Sequence, residues 1–215
     1  MKVPNNSLLF YMPTLEITAN NPNERLLQMA ADSLLKGDII ICPTDTVYAF
    51  VCCLSNKNGI EKLCKLIGKK PEKANLSIIC ADLKHISDYT LQFSKNTYKL
   101  MNRNLPGPFT FILNANNKVP KLFLNKRKTI GIRVPNHQVT LKLVEMVNEP
   151  LVTASVHYPN DLDNIMTSPF EMEELYQYSI SLIINSGEGG NIGSGVINCT
   201  GNEPEIIREG LTPIL

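Results

Sequence analysis

Six polar segments of this 215-residue chain carry side chains able to bind or activate a ligand. Pro43-Thr44-Asp45-Thr46-Val47-Tyr48 sets two hydroxyls and a carboxylate in a proline-led turn, which suits equally the grip of a small polar molecule and a plain capping turn. Gly68-Lys69-Lys70-Pro71 places two cations at the end of a helical pattern, where the helix dipole favours them and where they could also neutralise a triphosphate or a leaving pyrophosphate. Leu105-Pro106-Gly107-Pro108-Phe109-Thr110 is a rigid turn that hands a threonine to a strand. Arg133 interrupts the apolar run Ile130, Ile132, Val134; pointing inward it needs a partner, and pointing outward it is ordinary strand alternation. Ser155 ends another apolar run, with His157 two residues on. Ser186 to Gly195 is dense in glycine and reads first as a flexible loop, although its amides could form an anion nest. No helical pattern follows that loop, so it is no dinucleotide fingerprint, and neither a Walker loop nor a Gly-x-Ser-x-Gly elbow occurs.

The elements that must position these groups follow from hydrophobic periodicity. Helices are expected over Asn23–Lys36, bounded by Pro22 and Gly37, and over Gly59–Ile67, Lys95–Asn104, Val139–Val147 and Glu171–Tyr178. Strands are expected at Asp38–Cys42, Leu76–Cys80, Thr110–Leu113, Thr129–Val134, Leu151–Val156, Ile180–Ile184, Gly195–Asn198 and Glu205–Arg208. The last two are joined by too few residues for a helical crossover, which points to a mixed, twisted open sheet with helices on its faces. The polar segments fall at strand ends, where open α/β sheets collect ligands.

Composition sets the class. The chain is 43% hydrophobic and 19% charged, as in a globular domain able to bury about 70% of its unfolded surface. No apolar run reaches the ~18 residues of a membrane span, and Met1–Phe10 does not read as a signal peptide. Cys42, Cys52, Cys53, Cys64, Cys80 and Cys199 form no C-x-x-C pair, and His85, His137 and His157 show no ligand spacing; reduced thiols, a cytoplasmic setting and no metal site are expected. Residues 1–159 hold 20 basic and 11 acidic side chains, a net +9, whereas 160–215 hold one and nine, a net −8. Lys57, Lys62, Lys65, Lys69, Lys70 and Lys73 form one basic stretch, and Lys118, Lys121, Lys126, Arg127, Lys128 and Arg133 another. Such runs are solvated faces or draw in the phosphates of a nucleotide or RNA.

Taken together, PTDTVYAF (43–50), LPGPFTFIL (105–113), TIGIRVPNH (129–137), PLVTAS (150–155), SLIINSG (181–187), SGVIN (194–198) and IIREG (206–210) resemble, in order and spacing, the YrdC-like family of threonylcarbamoyl-AMP synthases, nearest its YciO branch. The resemblance covers 15–215 as one YrdC-like domain after an extension at 1–14. It implies a twisted open mixed sheet with helices packed around a large basic cavity. It further implies joining of threonine, bicarbonate and ATP, with Mg²⁺ on the nucleotide, into threonylcarbamoyl-AMP and pyrophosphate for tRNA modification. Carried over by motif, Thr44, Arg133 and Ser194 would contact threonine, and Thr110, Ser155, His157 and Arg208 the nucleotide.

The basic motif departs from the family's Lys-x-Arg-Pro: here it is Gly68-Lys69-Lys70-Pro71, leaving Lys69 and Lys70 as the candidate catalytic cations. The family's Ser-Ala-Asn is Ser155-Val156-His157, and its Ser-Thr-Val is Ser194-Gly195-Val196. A one-residue shift moves a charge by ~3.5 Å, and losing an aligned contact in such a transition state costs about 3 to 4 kcal/mol. The resemblance therefore implies a synthase weak or altered in substrate. The alternative is a non-catalytic module that binds double-stranded RNA, as family members are described to do, or the ribosome. A hydrolase or carrier of another acyl nucleotide, resting on His157, ranks third.

Overall fold

The computed structural model describes residues 13–74, 76–121, 128–159 and 161–215. The first part of the chain forms β1 (Thr14–Glu16), α1 (Glu24–Leu35), β2 (Ile40–Cys42), β3 (Ala49–Cys53), α2 (Lys57–Leu66), a 3₁₀ turn (Pro71–Lys73) and β4 (Ser77–Ile79). Next come α3 (Leu83–Ser87), α4 (Lys95–Asn104), β5 (Phe109–Asn114), β6 (Thr129–Arg133), α5 (Gln138–Val147) and β7 (Leu151–Ser155). A hairpin of β8 (His157–Tyr158) and β9 (Asp161–Ile165) precedes α6 (Pro169–Tyr176), β10 (Leu182–Asn185), β11 (Gly195–Asn198) and β12 (Glu205–Arg208).

Ten strands join one sheet in the order β1-β10-β2-β3-β7-β4-β6-β5-β11-β12. Pairs β1–β10, β10–β2, β4–β6 and β5–β11 are parallel, and the other five are antiparallel, so the sheet is mixed as expected. β3 was not anticipated: buried on both faces, AFVCC shows no alternation to separate it from the preceding turn. The short β1, the β8–β9 hairpin and α3 were likewise unmarked by periodicity. β1 begins at Thr14, inside the segment read as an extension, whose residues 1–12 lie outside the described part, as do Lys126 and Arg127 of the second basic stretch. The last helix begins at Pro169, two residues before Glu171, because Ser168 sits at its N-cap and proline suits the first turn.

Three helices start where a side chain caps them. Asn23, Asn56 and Ser94 accept, on their side chains, the N–H of Leu26, Gly59 and Thr97 and so cap α1, α2 and α4. One sheet face packs under α2, α3, α4 and α6 through residues such as Leu63, Ile86, Met101 and Met172, with Phe50, Ile78, Phe111 and Ile132 facing them. The opposite face is only partly roofed. There α1 and α5 bring Leu27, Ala30, Leu34, Leu143 and Val144 onto Ile40, Val51, Leu182, Ile79 and Leu151. Beyond Ile79 and Leu151 the same face turns small and polar. All six cysteines are buried and free, so none is spent on a disulfide. Among the described residues, no helix is long and apolar enough to cross a membrane.

Candidate functional site

Alternation along β6 builds the floor of a cavity. Ile130 and Ile132 enter the helix-covered core, which sends Thr129, Gly131 and Arg133 to the other face. In β5, Phe109, Phe111 and Leu113 go to the core while Thr110 and Ile112 line the cavity. Sheet register then aligns the floor. Thr153, Ser77, Gly131 and Ile112 stand side by side across β7, β4, β6 and β5, and Thr110, Val196 and Arg208 do so across β5, β11 and β12. The cavity measures about 580 Å³, and its walls add Ile67, Lys69, Ala74, Leu76, Ser155, His157 and Ser194. Among the described residues lining it, three are cations (Lys69, Arg133, Arg208) and none is acidic.

Seven of the nine residues singled out in the sequence thus meet in one hollow: Lys69, Thr110, Arg133, Ser155, His157, Ser194 and Arg208. Lys70 and Thr44 are not among its lining residues. The reason for the first is a helix ending. Gly68 adopts φ +64°, its N–H bonds to the Lys65 carbonyl at 3.1 Å, and the Lys69 N–H reaches Cys64 at 2.9 Å, a Schellman arrangement that only glycine enters without cost. The chain reverses there and brings Lys69 to the cavity wall, while Lys70, at the N-cap position of the 3₁₀ turn, stays outside the lining; both side chains are exposed. For Thr44, the hydroxyl is already used: it accepts the N–H groups of Thr46 and Val47 at 3.1 and 3.2 Å and donates to the Val47 carbonyl at 2.7 Å.

Arg133 resolves the inward–outward ambiguity. It is 6% exposed, and its Nη2 donates to Asp45 Oδ1 at 2.8 Å and to Thr46 Oγ1 at 3.0 Å. The second Asp45 oxygen accepts the Asn136 N–H at 2.9 Å. Burial lowers the Arg133 pKa; the Asp45 carboxylate opposes this shift and the nearby Arg208 cation adds to it. Its Nε has no hydrogen-bond partner. Asp45 and Thr46 were visible only as part of a polar turn; the buried arginine that needs them lies 88 positions away from Asp45. Ser77, Thr129 and Thr153 were also unmarked, although alternation in their strands would have pointed to them.

Across the floor, Ser194 and Thr110 share a hydroxyl hydrogen bond of 2.7 Å. Arg208 donates through Nε and Nη2 to the Ser194 carbonyl at 3.1 and 2.9 Å, which seats its guanidinium over this pair. The glycine-dense loop is not loose. The Tyr48 hydroxyl donates to the Gly187 carbonyl at 2.7 Å and accepts the Ser186 N–H at 3.0 Å, and the Gly189 N–H bonds to Thr167 at 2.8 Å. The loop is thereby pinned beside the 43–48 turn. His157 is held through its carbonyl by the Tyr176 hydroxyl at 2.8 Å.

A family model described as "Telomere recombination" and labelled Sua5, YciO and YrdC matches residues 32–210. The Escherichia coli protein YciO, described as uncharacterized, is 36% identical over 197 residues, covering 91% of this chain and 94% of its own. The crystal structure of E. coli YciO superposes with a TM-score of 0.88 at 33% identity, over 94% of this chain and 97% of that one. A threonylcarbamoyl-AMP synthase of Pyrococcus abyssi is 26% identical over 199 residues, 90% of this chain but 58% of the longer enzyme. The structure of P. abyssi Sua5 complexed with L-threonine gives a TM-score of 0.85 at 25% identity, over 94% and 58% of the two chains.

Proposed function

The chain belongs to the Sua5/YciO/YrdC family, and from that membership we propose that it is a carbamoyl-adenylate synthase acting on threonine or a close analogue, bicarbonate and ATP. The observation that carries the reading is the meeting of Arg133, Ser155, Ser194 and Arg208, from four separate segments, in one cavity. Its size of about 580 Å³ suits a nucleotide-sized ligand. Lys69 and Arg208, with no acid in the lining, favour an anionic ligand beside Arg133, whose charge Asp45 balances, and the hydroxyls of Ser77, Thr110, Thr153, Ser155 and Ser194 supply orienting contacts. The described lining has no carboxylate to hold a metal ion itself, so Mg²⁺ would arrive on the phosphates of the nucleotide.

In the reaction, the threonine nitrogen bonds to the bicarbonate carbon with loss of water, and a carbamate oxygen then attacks the α-phosphorus as pyrophosphate departs. Arg133, in the cavity lining, offers its guanidinium to the amino-acid carboxylate. Lys69 and Arg208 stand as cations for the phosphates. Donors fixed beforehand stabilise the charge that builds on those oxygens, and one such contact is worth about 3 kcal/mol. Thr44 takes no part in this scheme beyond shaping its turn.

Incubation with ATP, Mg²⁺, bicarbonate and L-threonine should release pyrophosphate only when all are present, and Arg133→Ala should reduce the rate at least tenfold, about 1.4 kcal/mol. Equal release by the variant, or release without threonine or any amino acid, would discard the synthase reading.

A second reading has its own observation. Lys57, Lys62, Lys65, Lys69, Lys70 and Lys73 are all exposed along α2 and the following turn, six cations against Glu61 and Glu72 in the same stretch, a basic segment suited to double-stranded RNA or the ribosome, including the tRNA that a synthase product would serve. It requires RNA affinity that falls steeply with salt; flat salt dependence would remove it.

A further inference from the structure

The turn from Pro43 to Val47 commits its polar side chains to the protein itself. Thr44 closes the turn on its own backbone. The Asp45 side chain is 8% exposed and holds the Arg133 guanidinium with one oxygen and the Asn136 N–H with the other. Thr46 accepts a second bond from the same Arg133 nitrogen. The turn is anchored from α5, where the fully buried Thr140 donates from Oγ1 to the Pro43 carbonyl at 2.5 Å. It is also covered by Gly190, whose backbone presses on the Thr46 carbonyl.

An arginine side chain left to itself samples many rotamers, and each one frozen in advance need not be frozen by the ligand. A cation taken out of water also needs a counter-charge, the more so with Arg208 facing the same cavity. Asp45 supplies both restraint and charge. We propose that the 43–47 turn is a bracket for one guanidinium, in which Asp45, helped by Thr46, is a positioning residue that fixes Arg133 in the cavity lining, its buried Nε left unpaired by the protein, so that the guanidinium meets an anionic oxygen of the ligand already oriented. The inference rests on the cavity being a ligand site, as argued above, and gives the turn a role distinct from touching substrate.

The test pairs a spectrum with a binding measurement on the full chain. In ¹⁵N-labelled protein the Arg133 Nε–H signal, assigned by its loss in Arg133→Lys, should be sharp and slow to exchange with solvent. Asp45→Asn keeps the shape of the turn while removing the charge, and should broaden or abolish that signal. Thr46→Val removes a single acceptor, leaves the ion pair in place and guards against misfolding of the first variant; it should shift the signal. Titration with L-threonine in the presence of ATP should weaken about tenfold for Asp45→Asn and less for Thr46→Val. An Arg133 signal unchanged in both variants overturns the bracket, as does a changed signal with unchanged threonine affinity. Should the wild type bind neither ATP nor threonine, the synthase reading falls, and the Arg133 signal still decides whether the turn fixes the guanidinium.

Discussion

Gly190 and the carbonyl of Thr46 lie so close that a Cβ added to the glycine would stand 2.1 Å from that oxygen. The contact joins two segments 144 positions apart, the glycine-dense loop and the turn that holds Arg133.

Gly190→Ala should therefore destabilise the protein by about 1 to 3 kcal/mol, since the obstacle is backbone rather than a flexible side chain. Gly201→Ala, whose added carbon would meet nothing nearer than 3.8 Å, should change stability by less than about 0.5 kcal/mol. Denaturant midpoints of the two variants give the comparison, and equal midpoints would refute the close packing.

Lys69 and Lys70 should separate in function although they are neighbours of one type. Lys69→Ala removes a cation from the cavity wall and should slow pyrophosphate release about 10²- to 10³-fold. Lys70→Ala removes an exposed charge and should stay within about twofold, as solvated charges usually do. Initial rates under saturating ATP distinguish them; the reverse order would mean that the 68–71 turn is seated differently when nucleotide binds.

Gly131 forms part of the cavity floor, and a Cβ there would lie 2.6 Å from Ser77 Oγ and 3.1 Å from Thr110 Cγ2. Gly131→Ala should leave the fold intact, because the Ser77 hydroxyl can swing away, yet lower ATP affinity about tenfold by crowding the floor. Adding Ser77→Ala removes the nearer obstacle and should recover part of that loss. Calorimetric titration of the single and double variants tests this, and an undiminished affinity for Gly131→Ala would place the nucleotide elsewhere.

Buried titrating groups define a pH window. Burial pushes the Cys42 and Cys53 thiols up to about 12 and Cys199 to about 11, from 9.0. Raised acids hold their protons in the folded state, so their contribution is complete below pH 9 and is lost as pH climbs from there. Burial lowers the His85 and His137 pKa values, with Asp45 opposing at His137. A depressed histidine stabilises the fold above about pH 6.5 and ceases to as pH falls below it. Thermal midpoints should thus be highest between roughly pH 7 and 8.5, and iodoacetamide at pH 8 should modify the cysteines only in denaturant. Rapid alkylation of native protein would contradict their burial.

Much of this arrangement was written locally. The spacing of Leu26, Leu27, Ala30 and Leu34 set α1, and the alternation in Thr129-Ile130-Gly131-Ile132-Arg133 already divides core from cavity. What was hidden depends on contacts distant in sequence. β3 has no alternation because both of its faces are buried, so its residues merge with the preceding turn. Asp45 looked like a turn residue until the sheet brought Arg133 beside it. The loop at 186–195 looked loose because glycine count speaks for freedom, whereas Tyr48 removes that freedom through two hydrogen bonds from a strand's approach far upstream. Lys69 and Lys70 could not be told apart by type; the left-handed step at Gly68 decided between them.

β12 has all four residues exposed and closes the sheet order, bonded on one side to β11 alone among the described strands. Arg208 rides on this outermost ribbon, while Thr110 and Gly131 sit on interior strands. Fraying at a sheet border costs far less than global unfolding. The hollow is thus built from unequal parts: Thr110 and Gly131 are held from both sides, whereas Arg208 depends on one neighbouring strand and on its two hydrogen bonds to the Ser194 carbonyl.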